Sequence, residues 1–355
     1  MAGYFDTLKK PYFIAEIGVN HNGDVALARQ MIDEAKACGA DAVKFQSFSA
    51  DTEACRSTLS APHVDEALGF EGTFYELLEK LSISHEEQRQ LKAYCDQIGI
   101  PFLSSPFSFP DIDFLVGLDV PFLKIGSTDT HHLAFLDHAA RTGKPILLST
   151  GMATMAEVQD AVNTITTVTP HLALMHCVSL YPPEASELNL QAITALRQQF
   201  PGIPTGWSDH SIGSWASVAA IALGATIIEK HFTLDKTMPG PDQAVSADPA
   251  EMRRIVEEGT LAYQALGTVG KQPTERERAM VAPFRRSVCT RQAVRKGELI
   301  RLENLDFKRP GIGVPPNEVK RVAGAIATQD IPEDSPIQEG MFAPAGSPVA
   351  QDVAG

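Results

Sequence analysis

Short apolar runs alternate with amphipathic stretches from residue 12 to residue 266. Eight runs can be counted, at 12–16, 41–45, 101–104, 122–125, 145–149, 172–176, 204–206 and 226–230. Between them the apolar positions recur at three- and four-residue spacing, which predicts helices at 25–38, 85–98, 133–141, 155–166, 188–199 and 214–223. Gly39, Gly99, Gly143 and Gly224 sit just past the last periodic residue of four of these, where a helix stops by turning left-handed. Strands alternating with helices make a parallel sheet. Eight repeats with no switch in order predict a closed (β/α)₈ TIM barrel, with 249–266 as its last helix. The connection 46–71 is long and irregular, which marks it as a candidate lid.

The pattern changes after Gly267. Residues 271–280 are polar and charged and read as a linker or a solvated helix. Residues 284–342 alternate short strands with turns and hold a weak internal echo, Gln292-Ala-Val-Arg-Lys-Gly-Glu-Leu-Ile300 against Gln329-Asp-Ile-Pro-Glu-Asp-Ser-Pro-Ile337. Two related halves in so short a span predict a small β-rich module. The expected organisation is a barrel over 1–268, a linker over 269–283, the module over 284–342, and a disordered tail rich in Ala, Pro, Gly and Ser over 343–355.

In a barrel, chemistry is done at the carboxyl ends of the strands. Reading those ends in turn gives Glu16; Lys44 and Gln46; Ser104 and Ser105; Lys124, Ser127 and Asp129; Ser149 and Thr150; His176, Ser179 and Tyr181; Ser208, Asp209 and His210; then Lys230 and His231. Period-two alternation prunes this set, because only every other strand residue points inward. Lys44 and Gln46 share a parity. Glu229 and His231 share another, which sends Lys230 into the helix layer. Two lysines with several hydroxyls on adjacent strands suit a phosphate, or a phosphate plus a carboxylate. With no Walker loop and no Gly-x-Gly-x-x-Gly, the cluster points to a small phosphorylated acid rather than a nucleotide.

His210 and His231 fall at the ends of neighbouring strands and suggest a divalent metal. The loop Met238-Pro-Gly-Pro-Asp242 brings a carboxylate back over the same place. Two imidazoles without a cysteine pair or His-Glu-x-x-His leave coordination positions open, as suits Mn²⁺, Fe²⁺ or Co²⁺ better than structural zinc. Simpler roles stand beside these. Glu16 also reads as a loop anchor, and Asp129 as a cap for the helix near His131. His21, His131, His132 and His176 read as loop or core histidines, and Tyr181-Pro182-Pro183 as a rigid turn. Arg285, Arg286, Arg291, Arg295 and Arg301 read as a solvated face of the small module.

Composition narrows the partners. The net charge of −14 argues against nucleic acid or anionic lipid, and no run of 18 apolar residues exists to span a membrane. Five cysteines without paired short spacing, and an N-terminus without the regions of an export signal, read as a reduced cytoplasmic protein.

Taken together, the motifs resemble a known family, the phosphoenolpyruvate-dependent sialic acid synthases, comprising N-acetylneuraminate synthases with their legionaminate and pseudaminate relatives. The resemblance rests on Phe13-Ile-Ala-Glu-Ile-Gly-Val-Asn-His-Asn-Gly23, Lys44-Phe-Gln46, Ser104-Ser-Pro-Phe-Ser108, Lys124-Ile-Gly-Ser127 and Ser149-Thr-Gly-Met152. It extends through His176-Cys-Val-Ser-Leu-Tyr-Pro182, Ser208-Asp-His210, Glu229-Lys-His-Phe-Thr-Leu-Asp235 and Gly240-Pro-Asp242. Lys308-Arg-Pro-Gly311 resembles the antifreeze-like SAF domain of the same family, so the match reaches to about Phe342.

The resemblance implies a domain-swapped homodimer that condenses phosphoenolpyruvate with N-acetylmannosamine or a related 2-acetamido sugar. His210 and His231 would bind Mn²⁺ (or Mg²⁺ or Co²⁺), with no organic cofactor. Phosphoenolpyruvate would lie against Lys44, Ser105, Lys124, Ser127, Ser149, Ser179 and Ser208. Glu16 would handle protons, with Asp242 second. Gln46, Asp129 and Tyr181 would meet the sugar, and Arg309 would reach the partner's site to grip the acetamido group. Asp129 stands where many bacterial members carry Glu, and Trp207 precedes Ser-Asp-His where Leu or Tyr is commoner. Two other readings remain: a Schiff-base pyruvate aldolase using Lys44 or Lys124, and a non-catalytic carbohydrate-binding scaffold.

Overall fold

A computed structural model describes residues 4–57 and 72–346. The chain forms two compact units that meet in sequence at Gly267 and Thr268. The first carries eight parallel strands: β1 (Tyr12–Gly18), β2 (Ala42–Ser47), β3 (Phe102–Pro106), β4 (Leu123–Ile125), β5 (Ile146–Ser149), β6 (Leu172–Cys177), β7 (Thr205–Asp209) and β8 (Ile227–His231). Their ladder order is β3-β2-β1-β8-β7-β6-β5-β4, with the two end strands side by side, so the sheet is a nearly closed barrel.

Strand alternation stacks the interior in two layers. Ile14, Ala42, Leu103, Phe122, Leu147, Met175 and Ile227 form an apolar lower layer with Phe5, from the 3₁₀ turn Tyr4–Thr7, packed against it. Two residues further along the same strands stand Glu16, Lys44, Ser105, Lys124, Ser149, Cys177 and Glu229, all buried. A period of two thus converts an apolar plug into a polar floor at the carboxyl end of the barrel. The opposite parity faces the helix layer. Lys230 pairs there with Asp209 at 3.3 Å and donates to the Ser211 carbonyl, while Ser217 Oγ donates to Asp209 at 2.7 Å. Ser104 also faces outward, sharing a hydrogen bond with Ser47 at 2.7 Å.

The helices form for ordinary reasons. Asp24, Ser84, Thr154 and Asp248 accept from backbone amides of the first turn, and Gly99 ends its helix at φ 76°. Helices at His85–Ile98, Leu133–Arg141 and Pro249–Leu266 match the periodicity residue for residue. Three details differ. A helix at Phe109–Gly117 follows β3, where Pro110 conceals it although proline is tolerated in a first turn. The helix expected from 188 begins at Gln191, because Asn189 adopts φ 41°. His231 is the last residue of β8 rather than the first beyond it.

In the expected lid, Ala50–Glu53 forms a single helical turn, whereas residues 58–71 lie outside the described residues. Among the described residues, no helix is long and apolar enough to cross a membrane.

The second unit has its own core of Val288, Val294, Ile300, Leu305, Val314, Val322, Ile331 and Ile337. Two antiparallel pairs cover it: β9 (Ser287–Thr290) with β10 (Leu305–Lys308), and β11 (Ile326–Ala327) with β12 (Phe342–Ala343). The echo segments meet through an isolated bridge between Val294 and Ile331. The stretch read as a linker contains short helices at Glu275–Ala279 and Val281–Phe284. Ala343, expected to open a disordered tail, instead pairs with Ile326; residues 347–355 lie outside the described residues.

Candidate active site

The polar floor opens into a cavity of about 440 Å³ whose described lining runs from Glu16 to Asp242. Two ammonium and two carboxylate groups alternate across its base. Lys44 Nζ lies 2.8 Å from Glu16 Oε2 and 3.9 Å from Glu229 Oε2, and it donates to Ser105 Oγ at 2.9 Å. Lys124 Nζ lies 3.4 Å from Glu229 Oε1, which also accepts from Ser208 Oγ at 3.1 Å. Gln46 Nε2 donates to Glu16 Oε1 at 3.1 Å.

All four charged groups are buried, so desolvation opposes every charge and the partners decide the outcome. Burial pushes Glu16 up to about 7, against the attraction of Lys44. The same burial acts on Glu229, but Lys124 and Lys44 together hold it below the usual carboxylate range. Burial is also outweighed at Lys44, which Glu16 and Glu229 raise above an ordinary lysine. Lys124, with Glu229 as its closest counter-ion, is pulled below the ordinary value by burial.

The hydroxyls stand on the adjoining wall. Ser127, Ser149, Ser179 and Ser208 line the cavity with Ser105. Ser149 Oγ is buried and has no hydrogen-bond partner, and Ser127 Oγ accepts from the Gly151 amide at 2.9 Å. Gly151 is required here: a Cβ would run into Ser179 Oγ and come within 2.7 Å of Ser127 Oγ.

The two imidazoles converge on the other side, with ring centroids 5.4 Å apart. His210 Nδ1 lies 2.8 Å from the Val178 carbonyl, which places the proton on Nδ1 and leaves the Nε2 lone pair available. His231 Nδ1 is buried without a hydrogen-bond partner, 3.5 Å from Asp242 Oδ2. Burial above all holds His231 well below its ordinary value, in the neutral form a metal ligand needs. Burial likewise raises Asp242, to about 6. Tyr181 stacks on the His210 ring at 4.1 Å. Among the described residues no third histidine, cysteine or carboxylate completes a metal cage. Two converging imidazoles, one with an unpartnered buried nitrogen, are the donors that a divalent cation would find here.

Thirteen of the fifteen residues singled out in the sequence line this cavity. Asp129 lies beside it in the 3₁₀ turn Ser127–Asp129, accepting from Thr128 Oγ1 at 3.1 Å. Arg309 belongs to the second unit, where its guanidinium sits 5.4 Å from the centre of the Phe284 ring. Glu229 was passed over, although its parity with His231 was the available signal. Glu53, on the single turn after β2, was also missed; nothing in its local sequence distinguishes it from a surface carboxylate.

The chain belongs to the NeuB family, which it matches over residues 31–271, and residues 285–343 match the SAF domain. It is 39% identical to the N,N'-diacetyllegionaminic acid synthase of Legionella pneumophila, over 90% of this chain and 91% of that one. It is 36% identical to the N-acetylneuraminate-9-phosphate synthase of Mus musculus, over 93% of this chain and 92% of that one. The crystal structure of N-acetylneuraminic acid synthetase from Leptospira borgpetersenii superposes with a TM-score of 0.68 at 34% identity, covering 77% of this chain and 90% of that one.

Proposed function

We propose that this protein is a metal-dependent synthase that condenses phosphoenolpyruvate with the open-chain aldehyde of a 2-acetamido sugar, giving a nine-carbon 2-keto acid and phosphate. The observation that carries the reading is the alternating Glu16–Lys44–Glu229–Lys124 floor beside two converging imidazoles. Lys44 and Lys124 supply positive charge to the phosphate and carboxylate of phosphoenolpyruvate. Ser105, Ser127, Ser149, Ser179 and Ser208 supply hydroxyl donors around it, and preorganised donors of this kind stabilise charge that shifts during reaction.

His210 and His231 would hold a divalent cation, Mn²⁺ in our reading, whose contribution when bound is Lewis-acid polarisation of the aldehyde. Carbon 3 of phosphoenolpyruvate forms the new C–C bond, carbon 2 adds water, and phosphate leaves as the C2–O bond breaks. Glu16, with a carboxyl at about 7, is matched to move the protons of these steps at neutral pH, and Asp242, raised to about 6, is the second candidate. Gln46, Tyr181 and Asp129 orient the sugar. Arg309 acts from the partner subunit of a homodimer.

Phosphate release from phosphoenolpyruvate, measured with N-acetylmannosamine, its 6-phosphate and a 2,4-diacetamido-6-deoxyhexose, tests the reading. Turnover with at least one sugar, abolished by chelation and restored by Mn²⁺, is expected. Release that ignores the chelator would remove the metal from the proposal. The depressed Lys124 favours one rival, a Schiff-base aldolase. In that case borohydride with pyruvate would label a lysine; no labelling is expected.

A further inference from the structure

We infer that the buried ion pair between Asp209 and Lys230, on the outer face of β7 and β8, is a clamp that sets the spacing of the two imidazoles. Both are then positioning residues, acting through His210 and His231. The inference rests on the synthase reading only through the divalent cation assigned there to those histidines.

The clamp residues and the histidines are neighbours in the chain: Asp209 precedes His210, and Lys230 precedes His231. The parallel ladder pairs Ser208 with Glu229 and then ends by pairing Asp209 with Lys230. His210 therefore lies one residue beyond the ladder, where pairing with β8 no longer fixes its place. His231 is held differently. It is the last residue of β8, pairs with Glu16 of β1, and its carbonyl accepts from the Ala247 amide at 2.7 Å. The imidazole that needs further support is that of His210.

Side chains take over where the ladder stops. Asp209 Oδ1 accepts from the Ser211 amide at 2.8 Å and from Ser211 Oγ at 2.7 Å, closing a turn with His210 at its centre. Ser217, in the helix Trp215–Ala222, donates to Asp209 Oδ2 at 2.7 Å. Lys230 Nζ lies 3.3 Å from Asp209 Oδ1 and also donates to the Ser211 carbonyl, so it grips the turn on both sides of His210. The His210 ring is oriented by the Val178 carbonyl, and the clamp fixes the backbone that carries the ring. On the inner face Ser208 Oγ donates to Glu229 Oε1 at 3.1 Å. The two strands are thus tied on both faces just below the imidazoles.

Asp209 and Lys230 are each 1% exposed. An ion pair buried so deeply carries a desolvation cost that apolar side chains of the same volume would avoid, so stability is a weak reason for it. What it adds is a fixed distance between two strands. Groups placed behind metal-binding histidines act in this way, and their loss is felt in metal affinity.

The test titrates Mn²⁺ into the full-length, metal-stripped protein, reading the free ion by electron paramagnetic resonance, and sets the affinity beside the thermal midpoint. Lys230→Met leaves the Asp209 charge buried and alone, and should lower the midpoint. The double variant Asp209→Asn with Lys230→Met removes both charges and should melt close to wild type. Both should bind Mn²⁺ about tenfold or more weakly, and the nitrogen modulation of the bound ion should fall from that of two imidazoles to that of one. Ser217→Ala keeps the ion pair and removes one hydrogen bond, and should weaken Mn²⁺ binding about threefold. Wild-type Mn²⁺ affinity in the folded double variant or in Ser217→Ala overturns the clamp and leaves the synthase reading intact. A loss confined to the thermal midpoint does the same. A wild type that binds Mn²⁺ through two imidazoles but releases no phosphate with any sugar overturns the synthase reading and leaves the clamp standing. A wild type that binds no Mn²⁺ overturns the clamp together with the metal step of that reading.

Discussion

Glu229 shows how one residue organises a site. It bridges two lysines that would otherwise repel each other in a buried space, and its depressed carboxyl keeps a charge where desolvation alone would remove it. Such a group is expensive to bury unless every neighbour is placed, which is why it belongs to a floor of alternating sign rather than to an isolated pair.

His21 is the opposite case. It is 1% exposed, accepts from the Gly23 amide at 3.0 Å, and is lowered by burial to about 4 from an ordinary 6.5. The unfolded chain takes up the proton first, so the contribution of neutral His21 is complete above pH 6.5. It declines as pH falls towards 4, by roughly 3 kcal/mol in all. The stability advantage of wild type over His21→Asn should therefore shrink between pH 7 and pH 4.5 in denaturant titrations. An advantage that stays constant across that range would show that His21 does not titrate with unfolding.

At the scale of elements, two glycines separate catalysis from folding. At Gly151 an added Cβ meets the ends of two serine side chains, which can swing aside. At Gly206, in β7, it would come within 2.6 Å of the Ile227 backbone carbonyl, which cannot. Gly151→Ala is therefore expected to lose about tenfold or more in kcat/KM with a nearly unchanged thermal midpoint. Gly206→Ala should lose about 1–3 kcal/mol of stability, in the range of overpacked interiors. Steady-state kinetics alongside thermal melts would separate the two, and equal effects in both assays would contradict the distinction. The strands were legible because alternation writes both layers into the chain: Ile14 then Glu16, Ala42 then Lys44, Phe122 then Lys124. The helix Phe109–Gly117 was not, because Pro110 reads as a breaker unless it is known to occupy a first turn.

At the scale of the molecule, two units with separate cores share one chain. The proposal that Arg309 acts on the sugar ties the small unit to turnover. Arg309→Ala should raise KM for the sugar about tenfold or more, leave KM for phosphoenolpyruvate nearly unchanged and leave the melt intact. Full turnover in that variant would detach the small unit from the chemistry.

Local spacing was enough to assign the barrel, the parity of Lys44, Gln46 and Lys230, and the approach of His210 and His231, because each depends on a period of two or on adjacency in the ladder. Which carboxylate answers which lysine was decided only in three dimensions. Glu229 meets Lys124 across the barrel interior, and Glu53 reaches the cavity wall from a turn whose sequence carries no periodic signal. Contacts between residues so far apart in the chain arise when strands close around a common axis, and no repeat along the chain encodes that closure.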